Sequence, residues 1–187
     1  MQRLILFMAL FFVLPSIAAA QLPLQAQHNL APYVPTPQQI VDKMLELAQV
    51  TSKDIVYDLG CGDGRIVIAA AKKYGARGVG IDIDPERIRE SEANAKAEGV
   101  ENLVSFRLED AMKADISDAT VVTLYLLTSS NEALRPILTR QLKPGARIVS
   151  HAFGMGDWRP QKTDLIPHES GYTRTIYLWI ADGKFRP

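Results

Sequence analysis

Three glycines and three acids mark where this sequence could do chemistry. Gly60-Cys61-Gly62-Asp63-Gly64 follows the apolar run Ile55 to Leu59, with Asp58 just before it. Glycines at alternate positions let a backbone turn sharply and leave bare peptide for a ligand to lie against. The spacing is G-x-G-x-G, whereas dinucleotide folds use G-x-G-x-x-G to aim a helix N-terminus at a pyrophosphate. With Asp58 and Asp63 the turn is acidic, a poor pyrophosphate cradle that suits a ligand carrying an ammonium and a sulfonium. Alone, a glycine triplet is as readily a tight turn with no ligand. Asp82, 24 residues after Asp58, ends the next apolar run. An acid there can accept hydrogen bonds from both hydroxyls of a ribose, and Ile83 beside it could pack on an adenine face. Asp110 follows a third run, Val104 to Leu108. Three acids at the ends of three successive strands are harder to explain as loop and cap residues than any one alone.

Strands and helices must bring those residues together. Thr36-Pro37-Gln38-Gln39 reads as a helix start, with Thr36 as cap and Gln39 completing a capping box. Ile40, Val41, Met44, Leu45 and Ala48 then recur at helical spacing. Strands are expected at Ile55 to Leu59, Val79 to Ile83, Val104 to Leu108, Thr120 to Leu126 and Ala146 to His151. Helices fall between them: Arg65 to Tyr74, a helix capped by Asp84 that ends at Gly99, and one capped by Ser129 with Glu132 three residues on. Leu165-Ile166 and Thr173 to Ala181 have no room for a helix between them and read as an antiparallel hairpin joined through His168 to Gly171. The expected fold is α/β, a Rossmann-like, mostly parallel open sheet ending in an antiparallel β-hairpin. In such sheets ligands bind beyond the carboxyl ends of the strands, where the strand order reverses.

Composition sets limits. The chain has 187 residues, 21 Lys+Arg and 21 Asp+Glu, so no basic excess points to nucleic acid. Its one cysteine excludes an intramolecular disulfide, and no Cys/His cluster suggests a metal. Arg3, the apolar run Leu4 to Leu14, and Ser16 to Ala20 have the layout of a secretory signal peptide cut after Ala20. The alternative is a retained membrane anchor, for which the run is short. The expected organisation is a signal at 1–20, an extended lead-in at 21–35 and one domain at 36–187. The chain would be exported to the periplasm or held at the membrane, which leaves open how a cytosolic cofactor reaches it.

The turn with its acids resembles motif I of the class I S-adenosylmethionine-dependent methyltransferases. Several segments are similar to a narrower family: Pro32-Tyr33-Val34-Pro35-Thr36-Pro37, the run Asp58 to Ala71, Asp115-Ile116-Ser117, and Leu142 to Arg147 through Gly156-Asp157-Trp158. They resemble bacterial relatives of the mitochondrial protein-lysine methyltransferases that modify the ATP synthase c-subunit and the adenine nucleotide translocase. The resemblance implies S-adenosylmethionine as cofactor, held by Asp58, Gly60, Cys61, Gly62, Gly64, Asp82, Ile83 and Asp110, with Asp110 accepting from the adenine amino group. It implies a protein or small-molecule methyl acceptor and direct in-line transfer.

No residue stands out as catalytic. Tyr33 and His151 are candidates, His151 equally as a structural hydrogen-bonding residue. Tyr33, Thr36, Tyr125, Asp157 and Trp158 are candidates to line the acceptor site. Tyr33, Tyr125, Phe153 and Trp158 could grip a cation through their π faces or simply pack. Cys61 reads as a small apolar filler. Leu127-Thr128-Ser129-Ser130 stands where amide and nucleobase methyltransferases carry an Asn/Asp-Pro-Pro-aromatic sequence, which argues against those acceptors. The competing readings are a ligand-binding module of the same fold without turnover, a nicotinamide oxidoreductase, which the glycine spacing disfavours, and aminopropyl transfer.

Overall fold

The computed structural model describes residues 30–167 and 171–187. The expected signal or anchor at 1–20, most of the lead-in, and His168 to Ser170 of the hairpin link lie outside the described residues. Among the described residues no helix is long and apolar enough to cross a membrane.

Among the described residues eleven elements follow in the order α1 (Gln38–Leu47), β1 (Ile55–Leu59), α2 (Arg65–Tyr74), β2 (Arg77–Asp82), α3 (Pro85–Ala97), β3 (Val104–Leu108), β4 (Val121–Leu124), α4 (Thr128–Gln141), β5 (Arg147–His151), β6 (Lys162–Pro167) and β7 (Thr173–Ile180). They build one seven-stranded sheet in the order β3-β2-β1-β4-β5-β7-β6. β1 to β5 are parallel, whereas β7 runs antiparallel to β5 and pairs with β6 as the expected hairpin. The order reverses between β1 and β4, so their carboxyl ends flank the crevice where such sheets hold ligands.

Alternation along the strands decides which side chains meet which helices. Val56, Val121, Val149 and Ile176 face α1 and α2, packing on Ile40, Met44, Ile66 and Val67. Tyr57, Leu59, Val122, Leu124, Ile148 and Trp179 face the other way, onto Leu134 and Leu138 of α4. All four residues of β4 are buried, as a strand covered on both faces requires, while β3 is mostly open at the sheet edge.

Two helix starts differ from expectation. α1 begins at Gln38, after an extended Pro37 whose carbonyl accepts from the Ile40 and Val41 amides. Pro37 takes the cap position, so Thr36 lies one residue before it, buried with its carbonyl bound by Arg65, and Gln39 Nε2 donates to Pro167 O, 3.4 Å away, instead of closing a capping box. α4 likewise starts at Thr128 without a side-chain cap, so Ser129 lies inside the helix, and the Ser130 hydroxyl donates to Leu30 O. At α4 the Ser130 hydroxyl ties the helix start to the lead-in through Leu30. Asp84 does cap α3, accepting from the Glu86 amide at 2.8 Å. β4 stops at Leu124, two residues short of the expected end, because Tyr125 and Leu126 leave the ladder and line the crevice.

Candidate functional site

The glycine turn is tied to β2 by backbone and by one carboxylate. The amides of Gly60 and Cys61 both donate to Ile81 O, at 2.8 and 3.0 Å. Asp82 accepts from the Gly62 amide on one oxygen at 2.8 Å and from the Asp84 amide on the other at 2.9 Å. Each carboxylate oxygen keeps a further lone pair, so Asp82 holds the loop and can still accept from two hydroxyls. Asp58, 3% exposed, takes a 2.7 Å hydrogen bond from Thr123 Oγ1. Burial pushes its carboxyl up to about 7, with the charges of Asp82 and Asp63 adding to the rise and the Thr123 hydroxyl opposing it.

The lead-in crosses over this turn and roofs a cavity. Its floor includes Asp58, Gly60, Cys61, Gly62, Asp82 and Ile83, its roof Tyr33 and Thr36, and its far wall Tyr125 and Leu126. Asp63 also borders the cavity, but its carboxylate is engaged within the turn. Its carboxylate is forked by Arg65 Nε at 2.9 and 3.0 Å, and Arg65 Nη1 donates onward to Thr36 O at 2.9 Å. Burial alone would raise the Asp63 carboxyl, but the Arg65 hydrogen bonds hold it below the usual range. Tyr33 lies over Gly62, and the Arg87 guanidinium sits 4.6 Å from the Tyr33 ring centre.

Gly62 has φ +54°, and a Cβ there would sit 2.5 Å from Tyr33 Cε2. Gly62→Val is therefore expected to lift the lead-in off the turn and cost about 1–3 kcal/mol through strain and overpacking. Urea unfolding measures the loss, and a variant as stable as the parent would contradict this role for Tyr33.

The remaining expected residues divide. Gly64 is not at the cavity: it caps α2 at φ +78°, and a Cβ would strike Phe106 Cε1 and Ser91 Cβ at 2.7 and 2.8 Å, so this glycine serves helix–strand packing. Cys61 lines the cavity as a buried filler whose thiol burial pushes far upward. Asp110 accepts from the Met112 amide at 2.9 Å, and the cavity wall is formed by its neighbours Glu109 and Ala111. His151 is fully buried, outside the cavity, and its ring lies 4.0 Å from that of Tyr125. Burial, and secondarily Arg174, push its pKa down to about 4, which fits a neutral ring better than a general base. Asp157 and Trp158 are not brought to the site. Asp157 pairs with Arg135 of α4, and Trp158 O accepts from Trp179 Nε1 at 2.7 Å, on a separate surface toward the amino end of β5. Sequence reasoning missed Arg65 and Arg87. Only Arg65, first in its helix after an acid, left a local signal. Among the described residues no group of acids, His and Cys could hold a metal.

Residues 58–162 match the family model described as the ANTKMT methyltransferase domain. A protein of Saccharolobus islandicus named protein-lysine N-methyltransferase is 50% identical over 151 residues, covering 80% of this chain and 92% of that one. The Homo sapiens lysine N-methyltransferase of the ATP synthase c-subunit is 32% identical over 129 residues, 69% of this chain but 54% of that enzyme, so the chain spans about half of its length. Among solved structures, an RNA methyltransferase from Salinibacter ruber in complex with S-adenosyl-L-homocysteine is 54% identical with a TM-score of 0.77, covering 82% of this chain and 97% of that chain.

Proposed function

The chain belongs to the family of ANTKMT methyltransferase domains, and we propose that it transfers the methyl group of S-adenosylmethionine to a lysine amine of a protein. One observation carries the cofactor assignment: the bare-peptide turn of β1 and the loop-anchored Asp82 of β2 line one cavity with the buried Asp58 carboxyl. In this reading Asp82 accepts from the ribose hydroxyls, Ile83 packs on the adenine, and Asp58 faces the ammonium end. Asp110 and Glu109 flank the adenine edge.

When bound, the cofactor supplies an electrophilic methyl on a sulfonium. The protein's task is positioning, which can supply about 7–11 kcal/mol of the barrier. The acceptor nitrogen must first lose a proton from a pKa near 10.4, and burial beside Leu126 favours the neutral amine by desolvation. The nitrogen lone pair then forms the N–C bond as the C–S bond breaks, its electrons remain on sulfur, and the methylated ammonium can release a proton to water.

The Salinibacter relative's description favours a second reading, an RNA acceptor. The charge at the mouth opposes it. The cavity is lined by Asp82, Asp84 and Glu109, while Arg65 is committed to Asp63 and Arg87 to Glu86 and Glu90. A phosphate backbone would need free cations there. Calorimetric titration with S-adenosylmethionine and S-adenosylhomocysteine tests the cofactor half of the proposal. Saturable one-site binding of both is expected, and no binding by a folded chain would overturn it.

A further inference from the structure

Beyond the cofactor cavity, the β4–β5 rim carries an arrangement that the fold alone does not require. Leu124 pairs with Ser150, so Tyr125, just past the end of β4, and His151, the last residue of β5, stand side by side. Their ring centres are 4.0 Å apart, and Phe153 is a second ring partner of Tyr125 at 6.2 Å. Phe153 reaches that place through a strained turn. Ala152 has φ +65°, and the Phe153 amide donates to His151 O at 2.8 Å, the geometry of a γ-turn that few non-glycine residues adopt. Strain of this kind persists only where the surroundings impose it.

Asn131 imposes it. Fully buried on α4, its Nδ2 is shared between Ser150 Oγ, Phe153 O and Gly154 O at 3.1–3.2 Å, and Ser150 Oγ donates to Phe153 O at 2.7 Å. Among the described residues, neither ring nitrogen of His151 nor Oδ1 of Asn131 has a hydrogen-bond partner. Asn131 thus ties α4 to the bent chain, and a flat ring lies directly behind Tyr125.

We propose that Tyr125 and Phe153 form the aromatic wall that receives the acceptor's amine side chain, and that His151 and Asn131 are positioning residues that hold this wall. The inference rests on the cofactor reading above. That reading puts the ribose at β2 and the glycine turn at β1, so the sulfur end of the cofactor lies toward β4, where Tyr125 lines the cavity. The π face of Tyr125 attracts a methylated ammonium, and a neutral His151 behind it adds no opposing charge.

The test uses the full chain saturated with S-adenosylhomocysteine and titrated by NMR. The probes are N-acetyl-Nε-trimethyl-lysine amide and its neutral isostere, with carbon in place of the ammonium nitrogen. The cation is expected to bind at least about threefold tighter than the isostere. Tyr125→Leu and His151→Ala should lose this preference, and His151→Phe, which restores a flat ring, should keep it. A purely structural role for His151 would change stability in both His151 variants and leave the ratio alone. No preference in the parent chain, or a preference that survives Tyr125→Leu, would overturn the inference with the cofactor reading intact. Failure of S-adenosylhomocysteine to bind would overturn both.

Discussion

Asp82→Ala is expected to weaken S-adenosylhomocysteine binding by about 100-fold or more. The carboxylate has two tasks: it fixes the Gly62 and Asp84 amides on either side of the cavity floor, and its remaining lone pairs face the ribose position. Hydrogen bonds to a charged partner contribute about 1.5–3 kcal/mol each, so two lost ribose contacts account for that fold-change before any loosening of the loop. Asp82→Asn should fall between parent and alanine, because the amide keeps one acceptor oxygen. Calorimetry on folded variants measures this, and an alanine variant that binds within threefold of the parent would contradict the ribose assignment.

Asp58→Asn should separate stability from function. An unfolded aspartate titrates near 3.9, whereas burial raises the Asp58 carboxyl to about 7. Between those values the folded state holds the proton more tightly, so the contribution of this group to stability is fully present below about pH 4. It declines as pH rises toward 7 and is level above that. Asparagine removes the cost of a buried charge, and its oxygen can still accept from Thr123. At pH 8 the unliganded variant should be more stable than the parent, by on the order of 2–4 kcal/mol, and the gain should shrink toward pH 4. Its affinity for S-adenosylhomocysteine should drop at pH 8, because the ammonium loses a carboxylate partner. Parent affinity should rise with pH up to about 7 and then level. Urea melts at pH 5 and pH 8 decide the stability claim, and a variant equally destabilised at both would contradict it.

Much of this was legible in the sequence because the signals are local. The glycine turn, the acids at strand ends and the continuous apolar run of β4 are each set within a few residues of chain, and the terminal hairpin follows from having no room for a helix. What sequence hid depends on partners far along the chain. Thr36 and Ser129 look like helix caps, yet Pro37 and Leu127 take those positions, where Arg65 holds the Thr36 carbonyl and Ser130 that of Leu30. Asp63 is the local exception: its partner Arg65 is only two residues away, but the fork also depends on Arg65 reaching the Thr36 carbonyl across the lead-in. Gly64 looks like part of the cofactor turn, yet its neighbours are Phe106 and Ser91, some 27 and more residues away. The Gly-Asp-Trp segment carried family resemblance, but Trp158 O is held by Trp179, so likeness of sequence there did not mean nearness to the site.

The most direct test of the central claim is a labelling experiment. The purified full chain is incubated with methyl-labelled S-adenosylmethionine and a cell extract divided into protein and RNA fractions. The products are hydrolysed, and labelled amino acids and nucleosides are separated by mass. Protein-lysine methylation predicts label in Nε-methylated lysine, absent with Asp82→Ala. Label confined to nucleosides would contradict it and establish the RNA reading instead.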